Sequence, residues 1–375
     1  MSLVFEGPRR VIFGPGSLDH LGREVRNLHG ERVFLVVDPV VAKKDFYLAA
    51  LESINKAGAV VAVFSDFHPE PAPEEADAGA RLARQKGSQV VVGLGGGSAM
   101  DVAKAVAGLT MNNGKARDYL GVELLPRPGL PKIMVPTTAG TGSEVTWTAV
   151  FTMSAERRKG GINSPFLYPE TALLDPNLTA DLPPDVTAYT GLDALAHAVE
   201  AFCAKRSNPI SDMYALKAIG LIGRALPRAV AEGAKAPQAR EEMLMGAFLA
   251  GKALAGAGVG ACHGLAYPLG AFHGVGHGLA NAVLLPHVMQ FNSEALPEKF
   301  AQIGQTLGVE GDRAAQHVAR MLEEMKVPAS LSALGIPKAA LSEMAEAALQ
   351  VKLCMDNNPR PMAQEEVFKL YKGAF

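Results

Sequence analysis

Gln89-Val90-Val91-Val92-Gly93-Leu94-Gly95-Gly96-Gly97-Ser98, followed by Ala99-Met100-Asp101, decides how this chain is read. The unbroken aliphatic run marks a strand buried on both faces, as in a parallel sheet. Three glycines then let the backbone turn and approach a partner without a Cβ in the way. Ala99 to Leu109 has helix-forming composition, and Ser98-x-x-Asp101 has the form of a capping box at its start. Strand, glycines and helix form a layout in which unpaired N–H groups and the positive end of a helix dipole attract an anion. A plain tight turn before a capped helix has the same sequence form, so the loop alone leaves both readings open.

Outward from this stretch, apolar runs alternate with helical spacing. Arg32 to Val37, Ala59 to Phe64, Lys132 to Val135 and Thr171 to Leu174 are further strands, with Lys43 to Ala57 and Pro73 to Lys86 as crossover helices. Leu3 to Phe5 and Arg10 to Phe13, separated by Glu6-Gly7-Pro8, have the form of a short hairpin. After Leu182, Pro183-Pro184 interrupts the chain and the alternation stops. Asp185 to Ala204, Pro209 to Ala231, Arg240 to Ala255, Asp312 to Met325 and Lys338 to Leu349 all have the texture of helices. The expected architecture is an α/β fold: a Rossmann-like, doubly wound parallel sheet domain over residues 1–182, then an all-helical domain over 183–375.

Composition narrows the function. Thirty-six Lys and Arg against 38 Asp and Glu give a net charge of −2, which argues against a nucleic-acid partner. Cys203, Cys262 and Cys354 show no CxxC spacing, and Met1 to Arg10 has no apolar secretory core, so a cytoplasmic location is expected. Ala253 to Ser293 carries no Asp, Glu, Lys or Arg and exceeds the roughly 20 residues that a membrane crossing needs. Eight glycines before residue 281, Pro268, and His263, His273 and His277 argue instead for a buried helical core around a polar site, with no membrane partner.

Two features carry chemistry. Asp38 closes the strand Arg32 to Val37, and an acid there can accept a hydrogen bond from a ribose 2′-hydroxyl while repelling a 2′-phosphate, which favours NAD over NADP. It is equally a turn acid before Pro39. Its place before the glycine loop reverses the usual Rossmann order. Pro136-Thr137-Thr138-Ala139-Gly140-Thr141-Gly142-Ser143-Glu144 is a second polar loop at a strand's C-terminal end, where ligands of open α/β sheets collect. Further on, Asp193 and His197 stand four apart on one helix face. Such a pair is often a surface ion pair, but apolar flanks argue against exposure here. With His263 and His277, one carboxylate and three imidazoles would suit Fe²⁺ or Zn²⁺ rather than Mg²⁺ or Ca²⁺. Cys262 beside His263 reads as a small buried hydrophobe.

Taken together these motifs resemble the iron-containing (group III) alcohol dehydrogenase family. The resemblance covers Phe13-Gly14-Pro15-Gly16, Gly95-Gly96-Gly97-Ser98-x-x-Asp101, Pro136-Thr137-Thr138-Ala139-Gly140-Thr141, Gly191-Leu192-Asp193-Ala194-Leu195-x-His197, His263-Gly264-Leu265-Ala266 with Pro268-Leu269-Gly270, His277-Gly278-x-Ala280-Asn281, and Asn358-Pro359-Arg360-Pro361. It implies a metal held by Asp193, His197, His263 and His277. It also implies NAD held by Asp38, the loop Gly95, Gly96, Gly97, Ser98 and Asp101, and Thr137, Thr138 and Lys159. The family's usual histidine four residues after the third ligand is Tyr267 here, so the proton route falls to this phenol or to His273. The family's frequent Asn in the loop after the second strand is Glu70, and that contact is not carried over. The implied reaction interconverts a small primary alcohol or diol and its aldehyde, in a homodimer or higher homo-oligomer. Glycerol dehydrogenase, maleylacetate reductase and a dehydroquinate synthase-like lyase are the alternatives within the same architecture, and a non-enzymatic metal-binding protein is the remaining one.

Overall fold

The computed structural model describes residues 4–310 and 313–375. The chain folds as two compact units, one of Glu6–Thr138 and Gly142–Ala180, the other of residues 4–5, Ala139–Thr141 and Asp181–Phe375.

In the first unit the elements run β1 (Arg10–Phe13), α1 (Leu21–Asn27), β2 (Arg32–Val37), α2 (Asp45–Lys56), β3 (Val60–Phe64), α3 (Pro73–Gln85), β4 (Val90–Gly95) and α4 (Gly97–Met111). They continue as β5 (Gly121–Val122), β6 (Lys132–Pro136), β7 (Thr148–Met153), β8 (Arg158–Asn163) and β9 (Thr171–Leu174). Six strands form one sheet in the order β1-β9-β6-β4-β2-β3, every neighbouring pair parallel. Side chains alternate across it. Phe34, Val36, Val91 and Met134 pack with the α3 and α4 residues Ala80, Ala103 and Val106, while Val33, Leu35, Val92 and Ile133 pack on the other face with Leu21, Val25, Ala50 and Ile54 from α1 and α2. The doubly wound parallel sheet is therefore present.

Three local expectations are corrected. Arg10–Phe13 makes no hairpin with residues 4–5; it pairs parallel with Thr171–Leu174, register Arg10 to Thr171. Leu3 lies outside the described residues. A small second sheet, β5-β8-β7, contains the antiparallel pair β7 and β8, which was not expected. Ser98 is not a cap: Gly96 caps α4, and Ser98 Oγ donates instead to the Pro69 carbonyl.

The second unit is helical among the described residues: α5 (Pro184–Cys203), α6 (Pro209–Glu232), α7 (Pro237–Ala257), α8 (Ala261–His273), α9 (His277–Ser293), α10 (Pro297–Leu307), α11 (Ala314–Glu324), α12 (Leu341–Leu349), α13 (Lys352–Met355) and α14 (Gln364–Gly373). Asp312, expected at the start of α11, lies outside the described residues. Every residue of α5 from Gly191 to Cys203 is buried, because α6, α7 and α9 pack around it. A helix enclosed on all sides can carry polar side chains only where they meet one another. No single described helix is long and apolar enough to cross a membrane; α7 and α8 meet at a bend of 104°.

Candidate metal centre and nucleotide loop

Helix α5 presents Asp193 and His197 on one stripe. Helix α8 brings His263 in its first turn, and α9 brings His277 as its first residue. Gly278 permits the α9 approach, since a Cβ there would lie 2.5 Å from the Tyr189 carbonyl oxygen, one turn before Asp193 on α5. One ligand-capable atom from each of Asp193, His197, His263 and His277 lies within 4.8 Å of the others. The His197 and His263 rings stack at 4.6 Å, and His263 and His277 meet edge-on at 5.2 Å. Asp193 Oδ1 is 3.6 Å from His277 Nε2 and 3.8 Å from His263 Nε2, and it accepts a 2.7 Å hydrogen bond from Asn281 Nδ2.

The electrostatics are those of a preformed cation site. Burial alone would raise the Asp193 carboxyl, but His197, His277, His263 and the Asn281 amide outweigh it and hold the pKa at about 2. Burial pushes His197 down to about 4. For His263 burial opposes the charged form, yet the Glu200 carboxylate and its hydrogen bond, with Asp193, raise the pKa. His197 Nδ1 and His263 Nε2 are buried without a hydrogen-bond partner. Orphaned imidazole nitrogens beside an ionised carboxylate fit a divalent cation of borderline softness, as does the set of one oxygen and three nitrogen donors.

The remaining residues separate into those the fold gathers and those it does not. Tyr267 follows His263 by one turn, its ring 6.1 Å from that of His277. His273 stands at the far end of α8, roughly 15 Å along the axis from His263 at 1.5 Å per residue, against Phe272 and outside the four-residue group. Sequence reasoning missed Glu200, whose Oε2 lies 2.5 Å from His263 Nδ1, and gave no role to Asn281. Glu200 was signalled by its place seven residues after Asp193 on the same stripe; Asn281 was signalled by standing four after His277.

In the α/β unit, the C-terminal ends of β2, β4 and β6 bring Asp38, the glycines and the Thr137 loop together. The Asp38 N–H donates to the Leu94 carbonyl and the Thr137 N–H to that of Gly95, at 3.2 and 2.9 Å. Gly95 has φ +155°, and a Cβ there would lie 2.7 Å from Ala99 Cβ and 3.0 Å from Asp38 Cβ. Gly95→Ala is therefore expected to lower unfolding free energy by about 1–3 kcal/mol, the usual cost of such backbone strain, which urea denaturation will measure. Asp38 also accepts the Val40 N–H at 2.8 Å, so it is a turn acid as well. Asp101 has structural partners of its own: its oxygens accept from Ser143 Oγ at 2.6 Å and the Val150 N–H at 3.0 Å, and Lys104 Nζ is 3.1 Å away, so it holds residues 143–150 against α4. Lys159, 5% exposed, pairs with Glu70, which also accepts from Thr152 Oγ1 at 3.1 Å.

Comparison with known proteins gives the family. Residues 8–176 match the family profile described as iron-containing alcohol dehydrogenase, and residues 187–375 that of the C-terminal part of the Fe-containing alcohol dehydrogenase family. The chain belongs to the iron-containing alcohol dehydrogenase family. Long-chain-alcohol dehydrogenase 1 of Geobacillus thermodenitrificans is 38% identical over 98% of this chain and 96% of its own. The NAD-dependent methanol dehydrogenase of Bacillus methanolicus is 33% identical, over the full length of both. A crystal structure of 1,3-propanediol oxidoreductase superimposes with a TM-score of 0.96 at 35% identity, again over both whole chains. As an iron-containing alcohol dehydrogenase the protein is an oxidoreductase of the alcohol–aldehyde couple, with an α/β nucleotide-type sheet and a mostly helical remainder.

Proposed function

We propose that the chain reversibly oxidises a small primary alcohol or diol to its aldehyde with NAD⁺, using ferrous iron held by Asp193, His197, His263 and His277. The observation that carries this reading is the group of four donors within 4.8 Å, three of them buried, in which His197 Nδ1 and His263 Nε2 have no hydrogen-bond partner. When bound, the metal supplies Lewis acidity toward the oxygen of the alcohol. Asp193 contributes the single negative charge of the donor set, and Asn281 fixes that carboxylate. Tyr267 stands in place of the family's histidine, its ring 6.1 Å from that of His277. Hydride transfer needs only orientation and exclusion of water from the chain's side chains, since the nicotinamide carries the chemistry.

For the cofactor, the first N–H groups of α4 at Gly97 and Ser98 would meet the pyrophosphate, and Asp38 the adenosine ribose. Thr137 and Thr138 line the same sheet edge. Lys159 is a nucleotide contact whose charge Glu70 partly neutralises. Glu70→Gln is expected to free that charge and tighten NADH by up to about fivefold, the scale of an ion pair whose carboxylate is solvent-exposed. The gain should shrink in high salt; fluorescence titration of NADH at two ionic strengths reads it. A functional division near residue 182, a homodimer and a cytoplasmic setting complete the proposal. The three buried, unpaired cysteines support the last.

The test is the metal-stripped protein under anaerobic conditions with NADH, lactaldehyde, and Fe²⁺, Zn²⁺ or no metal. Fe²⁺ alone should restore turnover. No NADH oxidation with any metal across a broad aldehyde panel would overturn the reading in favour of the lyase or a narrowly specific relative, and restoration by Zn²⁺ alone would point to the glycerol dehydrogenase alternative.

A further inference from the structure

Glu200 is 4% exposed, as deep as Asp193, His197 and His263, and stands on the α5 stripe of Asp193 and His197, seven residues after the first and three after the second. Its two oxygens have separate tasks. Oε2 lies 2.5 Å from His263 Nδ1, and Oε1 accepts the backbone N–H of Cys262 at 2.6 Å. That N–H belongs to the first turn of α8, where Gly260 offers no capping side chain and Asn358 Oδ1 takes the N–H of Ala261 at 3.2 Å. Oε2 faces Nδ1 of His263, so the tautomer it favours carries the hydrogen on Nδ1 and leaves Nε2 its lone pair. Nε2 is the buried atom with no partner, 3.8 Å from Asp193 Oδ1. Among the described residues, neither Asp193 nor Glu200 has a Lys or Arg partner. Two buried carboxylates without a cationic side chain are costly unless positive charge arrives from elsewhere. A metal held through three imidazole lone pairs leaves those rings neutral, so the carboxylates of Asp193 and Glu200 set the charge of the group and match a dication.

We propose that Glu200 is the positioning residue of the metal centre. It sets the tautomer and ring plane of His263, supplies the second negative charge that makes a dication the matched occupant, and ties the centre to the N-terminus of α8. The inference rests on the metal reading above and adds a residue to it.

Glu200→Gln keeps the size of the side chain but cannot accept at both positions, so its amide N–H faces either His263 or Cys262. Zn²⁺ affinity, measured by competition with a chromophoric chelator, should weaken roughly 10- to 100-fold, as for other partners of metal-binding histidines. The Co²⁺ absorption spectrum should shift. The melting temperature of the metal-free variant should match or exceed that of the metal-free parent, while the rise on adding Zn²⁺ shrinks; a residue that merely props the fold would lower both forms alike. Affinity within twofold of the parent overturns the proposal. If Glu200→Gln does not fold, Glu200→Asp keeps the charge and withdraws it by one methylene, and must also bind Zn²⁺ more weakly. A parent that binds no Zn²⁺ at all overturns the metal reading itself, a result distinct from equal binding by parent and variant.

Discussion

Replacing His263 with Ala is expected to remove bound metal and turnover together while leaving the fold in place. His263 is one of three imidazoles in the group, and its second nitrogen is held by the buried Glu200 carboxylate. Without it the group falls from four donors to three, and the imidazole that the Glu200 carboxylate holds in place is the one lost, so metal affinity should drop steeply. Lewis-acid stabilisation by a metal is worth several kcal/mol, and each 1.36 kcal/mol is tenfold in rate, so kcat should fall by about 10³-fold or more. Metal per chain should fall below roughly a tenth of the parent value, since donors of a structural or catalytic site act together. The change deletes one ring at the start of α8, whose N–H groups are still met by Glu200 and Asn358, so circular dichroism should be unchanged. Metal analysis and stopped-flow assay of the same preparation decide the matter. Turnover surviving in protein shown to be metal-free would overturn the assignment.

Much of this was legible because it is written locally. Each central strand of the parallel sheet is a short, mostly aliphatic run, since burial on both faces leaves no room for polar alternation, and Val33 to Val37 and Val90 to Leu94 state that plainly. Asp193 and His197 share a helix whose flanks are apolar, so their burial could be argued before it was seen. What escaped reading depends on distant partners. Arg10–Phe13 sits beside a Gly-Pro turn that mimics a hairpin, while its true neighbour, Thr171–Leu174, lies far along the chain. The β7–β8 pair was hidden because Arg158-Lys159-Gly160-Gly161 has neither β-branched residues nor alternation, although β7 alternates cleanly in burial. Ser98 failed as a cap because β4 runs on to Gly95, moving the helix start to Gly96. Glu200 could be placed on the right stripe from spacing, but its meaning required knowing that the first turn of α8 packs there.

Asp38→Asn is expected to relax the nucleotide preference more than any other single change in the α/β unit. The variant keeps the amide oxygen that can accept the Val40 N–H, now at 2.8 Å, so the turn after β2 should survive. It removes the negative charge beside Gly95, where the adenosine ribose is proposed to lie. A 2′-phosphate brought against a carboxylate costs several kcal/mol, and recovering even half of that raises kcat/KM for NADP⁺ by about 10²-fold. The loss with NAD⁺ should be smaller, about tenfold, because Asn still offers one acceptor or donor to the 2′-hydroxyl in place of a charged acceptor. The effect should appear chiefly in KM for the nucleotide, since the ribose is remote from the transferred hydride and its contacts are the same in ground and transition states. A ratio of the two efficiencies that stays within threefold of the parent would leave Asp38 as a turn residue only, and would move the discrimination to another group on the same sheet edge.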